Sequence, residues 1–165
     1  MLPRNHAADQ PKLLDISALL AGEVRTFTFE RKFLIDLEDA DCTVSEPATM
    51  TGELINRAGY ITFDAKLFVP FTAVCCRCLD EVCLSCSLKI HAPVAERLEN
   101  SENEEYIIPN AGRIDLEELA RIHLLLHLPY RHLCREDCKG LCPRCGKNLN
   151  REACSCQTED SSNCD

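Results

Sequence analysis

Six cysteines fall close together near the end of the sequence, as Cys134-x3-Cys138-x3-Cys142-Pro143-Arg144-Cys145-Gly146-x7-Cys154-x-Cys156. No other feature constrains the fold as strongly. A segment this short has no hydrophobic core of its own, and thiolates converging on an ion supply the folding free energy that burial cannot. A turn such as Cys142-Pro143-Arg144-Cys145-Gly146 directs two sulfurs to one point, and zinc takes four such ligands tetrahedrally. The downstream pair Cys154 and Cys156 is near enough in sequence to complete the set.

A second pair, Cys75-Cys76-Arg77-Cys78, lies between two strand candidates, where a turn brings Cys75 and Cys78 together. Eight cysteines then divide into two tetrads. Cys75, Cys78, Cys134 and Cys138 would staple the C-terminal segment to the body, and Cys142, Cys145, Cys154 and Cys156 would fold that segment locally. The rival partition places four of the six late cysteines around one zinc and leaves Cys75 and Cys78 as thiols, so the expectation is one or two ions. Cys42, Cys76, Cys83 and Cys164 have no assignment and read as free thiols.

The choice of metal over disulfide rests on context. The chain has 13 cysteines, an odd number, and it opens Met-Leu-Pro-Arg-Asn-His-Ala-Ala-Asp without the basic start and apolar run of a secretory signal. This predicts a reducing, cytoplasmic setting, in which clustered cysteines favour metal. No apolar run, Leu124 to Leu126 among them, approaches the ~20 residues of a membrane span, so none is predicted.

Strand and helix patterns define the body. Val24 to Leu37 reads as a strand in which Phe33, Ile35 and Leu37 form one face. Thr49 to Arg57 and Tyr60 to Val69 flank the turn Ala58-Gly59, with strict period two at Ile61, Phe63, Ala65, Leu67 and Val69. Val82, Leu84, Cys86, Leu88 and Ile90 alternate in the same way. In a strand, Cys83 and Cys86 point to opposite faces and cannot share an ion, so Cys86 reads as a small buried hydrophobe. Glu96 to Glu105 is a run of acids that reads as a solvated loop. Asp115 with Glu118 resembles a capping box, and Leu116, Leu119, Ile122 and Leu126 suggest one apolar face of a helix at about 115 to 127, stopped by Pro129. A shorter helical segment is expected at Ile16 to Leu20.

These patterns predict an α+β fold with an antiparallel sheet, one main helix and a C-terminal zinc-bound segment. The expected boundaries are a body over residues 1–128 and a cysteine-rich segment over 129–165 that packs on the body and ends in a disordered acidic tail.

The net charge of -9 is unevenly spread. Residues 129–156 hold Arg131, Arg135, Lys139, Arg144, Lys147 and Arg151 against Glu136, Asp137 and Glu152, a local balance of +3. Arg131, Arg135, Lys139, Arg144 and Lys147 therefore form a candidate phosphate-contacting group, or alternatively offset the charge of a four-thiolate centre. Six Phe, three Tyr and no Trp leave few stacking platforms for single-stranded nucleic acid.

Catalytic readings have little to stand on. The triplet Cys138-x3-Cys142-x2-Cys145 matches the iron-sulfur spacing of radical enzymes, but the upstream sequence lacks the βα units of their barrel. His123 and His127 share a helix face without an intervening Glu. Closed four-thiolate sites also lack the open position that a zinc hydrolase needs. No catalytic residue is expected, and the alternative to a structural metal is a cysteine-based redox or zinc-release sensor.

The run Leu128-Pro129-Tyr130-Arg131-His132-Leu133-Cys134-Arg135-Glu136-Asp137-Cys138-Lys139-Gly140-Leu141-Cys142-Pro143-Arg144-Cys145-Gly146-Lys147-Asn148-Leu149-Asn150 resembles the C-terminal signature of the YceD family, named for accumulation of large-subunit ribosomal RNA. Cys75-x-Arg77-Cys78-Leu79, Ile114-Asp115-Leu116-Glu117-Glu118-Leu119, Thr51-Gly52-Glu53-Leu54 and Leu14-Asp15-Ile16-Ser17 extend the resemblance over most of the chain. It implies a cytosolic bacterial assembly factor without catalytic activity, whose partners are the large ribosomal subunit precursor, its rRNA or ribosomal proteins, and neither DNA nor membrane. Relatives of this type usually continue into Asp-Pro-Arg-Leu and a lysine-rich stretch, where this sequence reads Gln157-Thr-Glu-Asp-Ser-Ser-Asn-Cys-Asp165.

Overall fold

A computed structural model describes residues 12–37, 42–44, 46–95, 106–129 and 131–156. The acidic run at 96–105, Cys164 and the acidic tail lie outside the described residues.

Among the described residues nine elements follow in chain order: β1 (Leu13–Asp15), α1 (Ser17–Leu20), β2 (Thr26–Phe33), β3 (Cys42–Thr43), β4 (Ala48–Arg57), β5 (Tyr60–Val74), β6 (Glu81–Val94), β7 (Arg113–Asp115) and α2 (Leu116–His127). The fold is an antiparallel sheet with one main helix. β5 is its axis. It pairs with β6 from Ile61↔Val94 to Val74↔Glu81 on one edge. On the other it pairs with β4 and, beyond the end of β4, with β3 at Cys42↔Ala73 and Thr43↔Thr72. β2 lies outside β4. The pairing of β1 with β7 forms a separate two-stranded sheet.

The period-two pattern does more than form a hairpin. Ile61, Phe63, Ala65, Leu67, Val69, Phe71 and Ala73 all face the core, and the same alternation carries Cys75 to the buried side. Phe63 meets Phe29 of β2 with ring centroids 5.6 Å apart. The strand is longer than the expected Tyr60 to Val69, and β6 extends past the expected Val82 to Ile90 at both ends. Together they form one long hairpin whose closed end is the Cys75–Cys78 turn.

Several sequence expectations change. β2 ends at Phe33, where its last partner on β4, Ala48, is reached; Ile35 remains buried without strand pairing. β1 and β7 have three residues each, too few for alternation to register. The buried stripe of α2 is Leu116, Ala120 and Leu124, whereas Ile122 and Leu126 are exposed. Spacing of four along the helix, seated by the small Ala120, selects that stripe over the bulkier residues beside it. Asp115 does cap α2, accepting from the N–H groups of Glu117 and Glu118 at 3.0 and 3.2 Å, but Glu118 pairs with Arg121 and does not close the box. Cys86 is half-buried against the core and Cys83 is exposed on the opposite face. Among the described residues no helix is long and apolar enough to cross a membrane.

Candidate metal centre

The two Cys-x-x-Cys turns share one backbone design. In the first, the N–H of Leu79 donates to the Cys75 carbonyl and the N–H of Cys75 to the Asp80 carbonyl, both at 2.9 Å. In the second, the N–H of Gly146 donates to the Cys142 carbonyl at 2.9 Å and that of Cys142 to the Lys147 carbonyl at 2.8 Å. The residue after each second cysteine is left-handed, with φ of 59° at Leu79 and 71° at Gly146. Glycine adopts that conformation freely, whereas Leu79 adopts it under strain, held by the hairpin on either side.

These turns bring the two predicted tetrads together. The sulfurs of Cys75, Cys78, Cys134 and Cys138 all lie within 4.8 Å of one another, and so do those of Cys142, Cys145, Cys154 and Cys156. In the first tetrad Cys75 and Cys138 are 3.8 Å apart, and Cys78 and Cys134 are 3.6 Å apart. Cys142 and Cys154 in the second are 3.3 Å apart. A tetrahedral zinc–thiolate centre with bonds of ~2.3 Å sets its sulfurs about 3.8 Å from each other. The first tetrad already has that span, and the second needs a small expansion. The donor chemistry therefore fits a tetrahedral, thiophilic ion in either cluster. Either could hold one.

Burial separates them. Cys75, Cys78 and Cys138 are buried beneath Val82 and Leu133, whereas Cys145 is exposed. The first tetrad joins the β5–β6 hairpin to residues 134–138, and further contacts seat that connection. The Cys76 N–H donates to the His132 carbonyl at 2.9 Å, Leu141 N–H to the Arg77 carbonyl at 3.0 Å, and Arg77 Nη1 to the Cys138 carbonyl at 3.0 Å. The buried His132 ring packs edge-on against Phe71 at 5.5 Å. Gly140, at φ 73°, passes so near that a Cβ there would stand 3.0 Å from the Arg77 carbonyl oxygen.

Three side chains that sequence reasoning did not single out tie the tetrads to each other. Asn150 Nδ2 donates to the Cys138 sulfur at 3.2 Å, while its Oδ1 accepts from the Lys139 N–H and from Arg135, both at 2.8 Å. Asp80, two residues after Cys78, accepts from Asn148 and Arg151 at 2.8 Å each. Short amides between two cysteine pairs were the available signal, since Asn readily bonds neighbouring backbone. Such supporting groups fix ligand orientation. Replacing Asn150→Ala is expected to weaken metal at the first tetrad about tenfold and leave the second less affected, as read by chelator competition against each centre.

The thiol acidities reflect the same geometry. The Cys78 N–H, followed by those of Arg77 and Cys134, holds Cys75 down at about 6 against the opposing effect of burial. The N–H groups of Cys145 and Arg144 bring Cys142 to about 6. At Cys78 the Asp80 N–H pulls downward, but burial and the sulfurs of Cys75, Cys134 and Cys138 outweigh it and push the thiol up to about 12. Asn150 lowers Cys138, whereas burial raises Cys134. The Cys145 sulfur and burial push Cys156 up to about 12, and Cys142 raises Cys154. Each turn thus favours a first thiolate, and the remaining protons stay until a cation displaces them.

The basic candidates are all exposed, but they are not equivalent. Arg135 contacts Asp137 and Asn150, and Lys147 contacts Glu152. Arg131 and Lys139 make no ion pair among the described residues, and Arg144 stands on the rim of the second turn. His123 and His127 lie on the helix surface with rings 6.4 Å apart, and His127 Nδ1 contacts the His123 carbonyl.

An antiparallel hairpin ended by a Cys-x-x-Cys turn, clamped to a segment carrying a second such turn, defines a small α+β protein built around two clusters of cysteine sulfurs, each able to hold a metal ion. The family model described as Large ribosomal RNA subunit accumulation protein YceD matches residues 63–163, which include both tetrads, and the chain belongs to this family. Over 59 residues it is 32% identical to the Large ribosomal RNA subunit accumulation protein YCED homolog 1, chloroplastic, of Arabidopsis thaliana, covering 36% of this chain and 18% of that protein. Over 123 residues it is 30% identical to uncharacterized proteins of Mycobacterium tuberculosis (strain ATCC 25618 / H37Rv) and Mycobacterium bovis, covering 72% of this chain and 53% of each. The chain thus spans about half, or less, of the length of these relatives. No solved structure matches it.

Proposed function

We propose that this protein is a noncatalytic, cytoplasmic factor that supports synthesis, processing or stability of large-subunit rRNA, and that each tetrad holds a structural zinc ion. The observation that carries the reading is the family match across 63–163, within which all eight converging cysteines fall. Four thiolates close the coordination of zinc and leave no position for an activated water, which favours scaffolding over catalysis. Arg131, Lys139 and Arg144, presented by a segment that the ions hold rigid, are the candidate contacts to rRNA or a ribosomal protein, with Arg135 and Lys147 bracing that surface.

The test is depletion of the protein from its own cells, followed by sedimentation of ribosomal subunits. The expected result is a deficit of large subunits and their rRNA, with tagged protein co-sedimenting with large-subunit precursors. An unchanged subunit profile would overturn the assignment. The exposed Cys145 favours a second reading, a redox-controlled zinc release. Under that reading mild oxidation ejects the second ion reversibly and changes partner binding, whereas a structural centre keeps its ion until the fold is lost.

A further inference from the structure

The cysteine-rich segment is not the only surface suited to RNA. β5 sends its odd-numbered residues into the core, so its even-numbered residues line the open face of the sheet. Cross-strand register places Lys32, Thr49, Phe68 and Ser87 in one row across β2, β4, β5 and β6, and Glu30, Thr51, Lys66 and Lys89 in the next. Phe68 is 47% exposed in the middle of this face, an unusual position for a large aromatic ring. Lys66 and Lys89 are direct cross-strand partners, and like charges so placed repel. Among the described residues neither they nor Lys32 form an ion pair. Asp64, the nearest acid along β5, is instead engaged by His91.

Beside the lysine pair the sheet forms a depression of about 560 Å³, whose lining includes Thr51, Glu53, Asp64, Lys66, Lys89 and His91. A flat ring, three lysines that make no ion pair among the described residues, and an adjoining polar hollow, on a face that also carries Glu30 and Glu53, are complementary to one ligand chemistry above others. Nucleobases stack on exposed aromatic faces, and lysines neutralise the phosphates on either side. Diagonal neighbours on a sheet are about 7–8 Å apart, so Lys66 and Lys89 both lie within side-chain reach of a nucleotide on Phe68. We infer that the open sheet face around Phe68 is a second nucleic-acid contact, which takes a short stretch of single-stranded RNA with one base on Phe68 and its flanking phosphates on Lys66, Lys89 and Lys32. A single ring fits the low aromatic content of the chain, and limits the stacked contact to one or two nucleotides. The inference rests on the rRNA reading above and adds a site remote in sequence from the Arg131–Lys147 surface.

The experiment uses the full chain purified with its metal and a short fluorescein-labelled single-stranded RNA of mixed sequence, followed by fluorescence anisotropy over a salt series. Each phosphate contact to a single strand contributes about 0.7 to the slope of log affinity against log salt. Lys66→Ala combined with Lys89→Ala should therefore flatten that slope by about 1.4. Phe68→Ala should weaken binding about tenfold, and Phe68→Tyr, which keeps the ring, should restore it. Thermal unfolding of each variant confirms that the sheet is intact, since all three positions are solvent-facing.

Binding unchanged by all of these substitutions overturns the inference. So does competition by polyglutamate as effective as that by unlabelled RNA, which would mark the face as a site for acidic protein. If Arg131→Ala with Lys139→Ala abolishes binding while the sheet variants do not, the sheet-face contact is lost and the rRNA reading stands. If the parent protein binds no RNA yet co-sediments with large-subunit precursors, the inference fails alone.

Discussion

Replacing Cys138→Ser should release one zinc ion and detach the 131–156 segment from the hairpin, whereas Cys156→Ser should release one ion and leave 131–141 docked. The asymmetry follows from sequence separation. Cys75 and Cys78 meet Cys134 and Cys138 across more than fifty residues, so this centre closes a long loop between the sheet and the segment after α2. The second tetrad is drawn from fifteen consecutive residues, 142–156, and closes only itself. A structural zinc contributes roughly 10–16 kcal/mol of apparent binding free energy in small domains at neutral pH, more than the few hydrogen bonds that would remain. Amide hydrogen exchange locates the loss. In Cys138→Ser the N–H groups of Cys76 and Leu141, which bond to His132 and Arg77, should exchange freely, while those of Cys142 and Gly146 stay slow. Cys156→Ser should show the reverse. Metal analysis should find one ion fewer per chain in each. Persistent protection of Leu141 in Cys138→Ser would mean that hydrogen bonds, and not the ion, hold the segment.

The physical reason that this site could be anticipated is that thiolate chelation has a strict spacing and a strict chemistry. Two residues between cysteines in a turn bring sulfurs together wherever they occur, so Cys75–Cys78 and Cys142–Cys145 were readable as turns without any fold. The long period-two run from Ile61 was equally legible, because a strand buried on one face has no other way to be written. What escaped was decided by tertiary contact. The strands Leu13–Asp15 and Arg113–Asp115 exist because they pair with each other. The buried stripe of α2 follows from the sheet beneath it, which accepts Ala120 and Leu124 and leaves Leu126 in solvent. Asp80, Asn148 and Asn150 matter only because folding brings two cysteine turns within one hydrogen-bonding distance of each other. Their sequence neighbourhood carries no periodicity that would mark them. The basic residues were visible as a cluster, but their division into Arg135 and Lys147, which brace the segment, and Arg131 and Lys139, which face outward, depended on where Asp137, Glu152 and Asn150 came to rest.

Metal affinity should fall steeply on acidification, by at least about a hundredfold per pH unit between pH 6 and 9 at each centre, because protons and the ion compete for the same sulfurs. The sign follows from which thiols keep their protons. In the first tetrad Cys78 is pushed up to about 12 and Cys134 is also raised. In the second Cys156 is pushed up to about 12 and Cys154 is raised. Each centre therefore has at least two protonated thiols across that range, and an arriving cation must displace both. Every proton released contributes a factor of ten per pH unit, and higher pH favours the loaded state. Near pH 6 the slope should steepen by a further factor of about ten per unit, because Cys75 and Cys142, both held at about 6, begin to protonate as well. Competition with a chromophoric chelator of known pH dependence measures the affinity, and titration in weak buffer counts the protons directly. Release of fewer than two protons per ion at pH 7.5 would show that at least three of the four thiolates are already formed before metal arrives. The backbone N–H groups of the two turns would then be sufficient to hold at least three of the four charges, and the ions would add less to a segment that the hydrogen bonds had already folded.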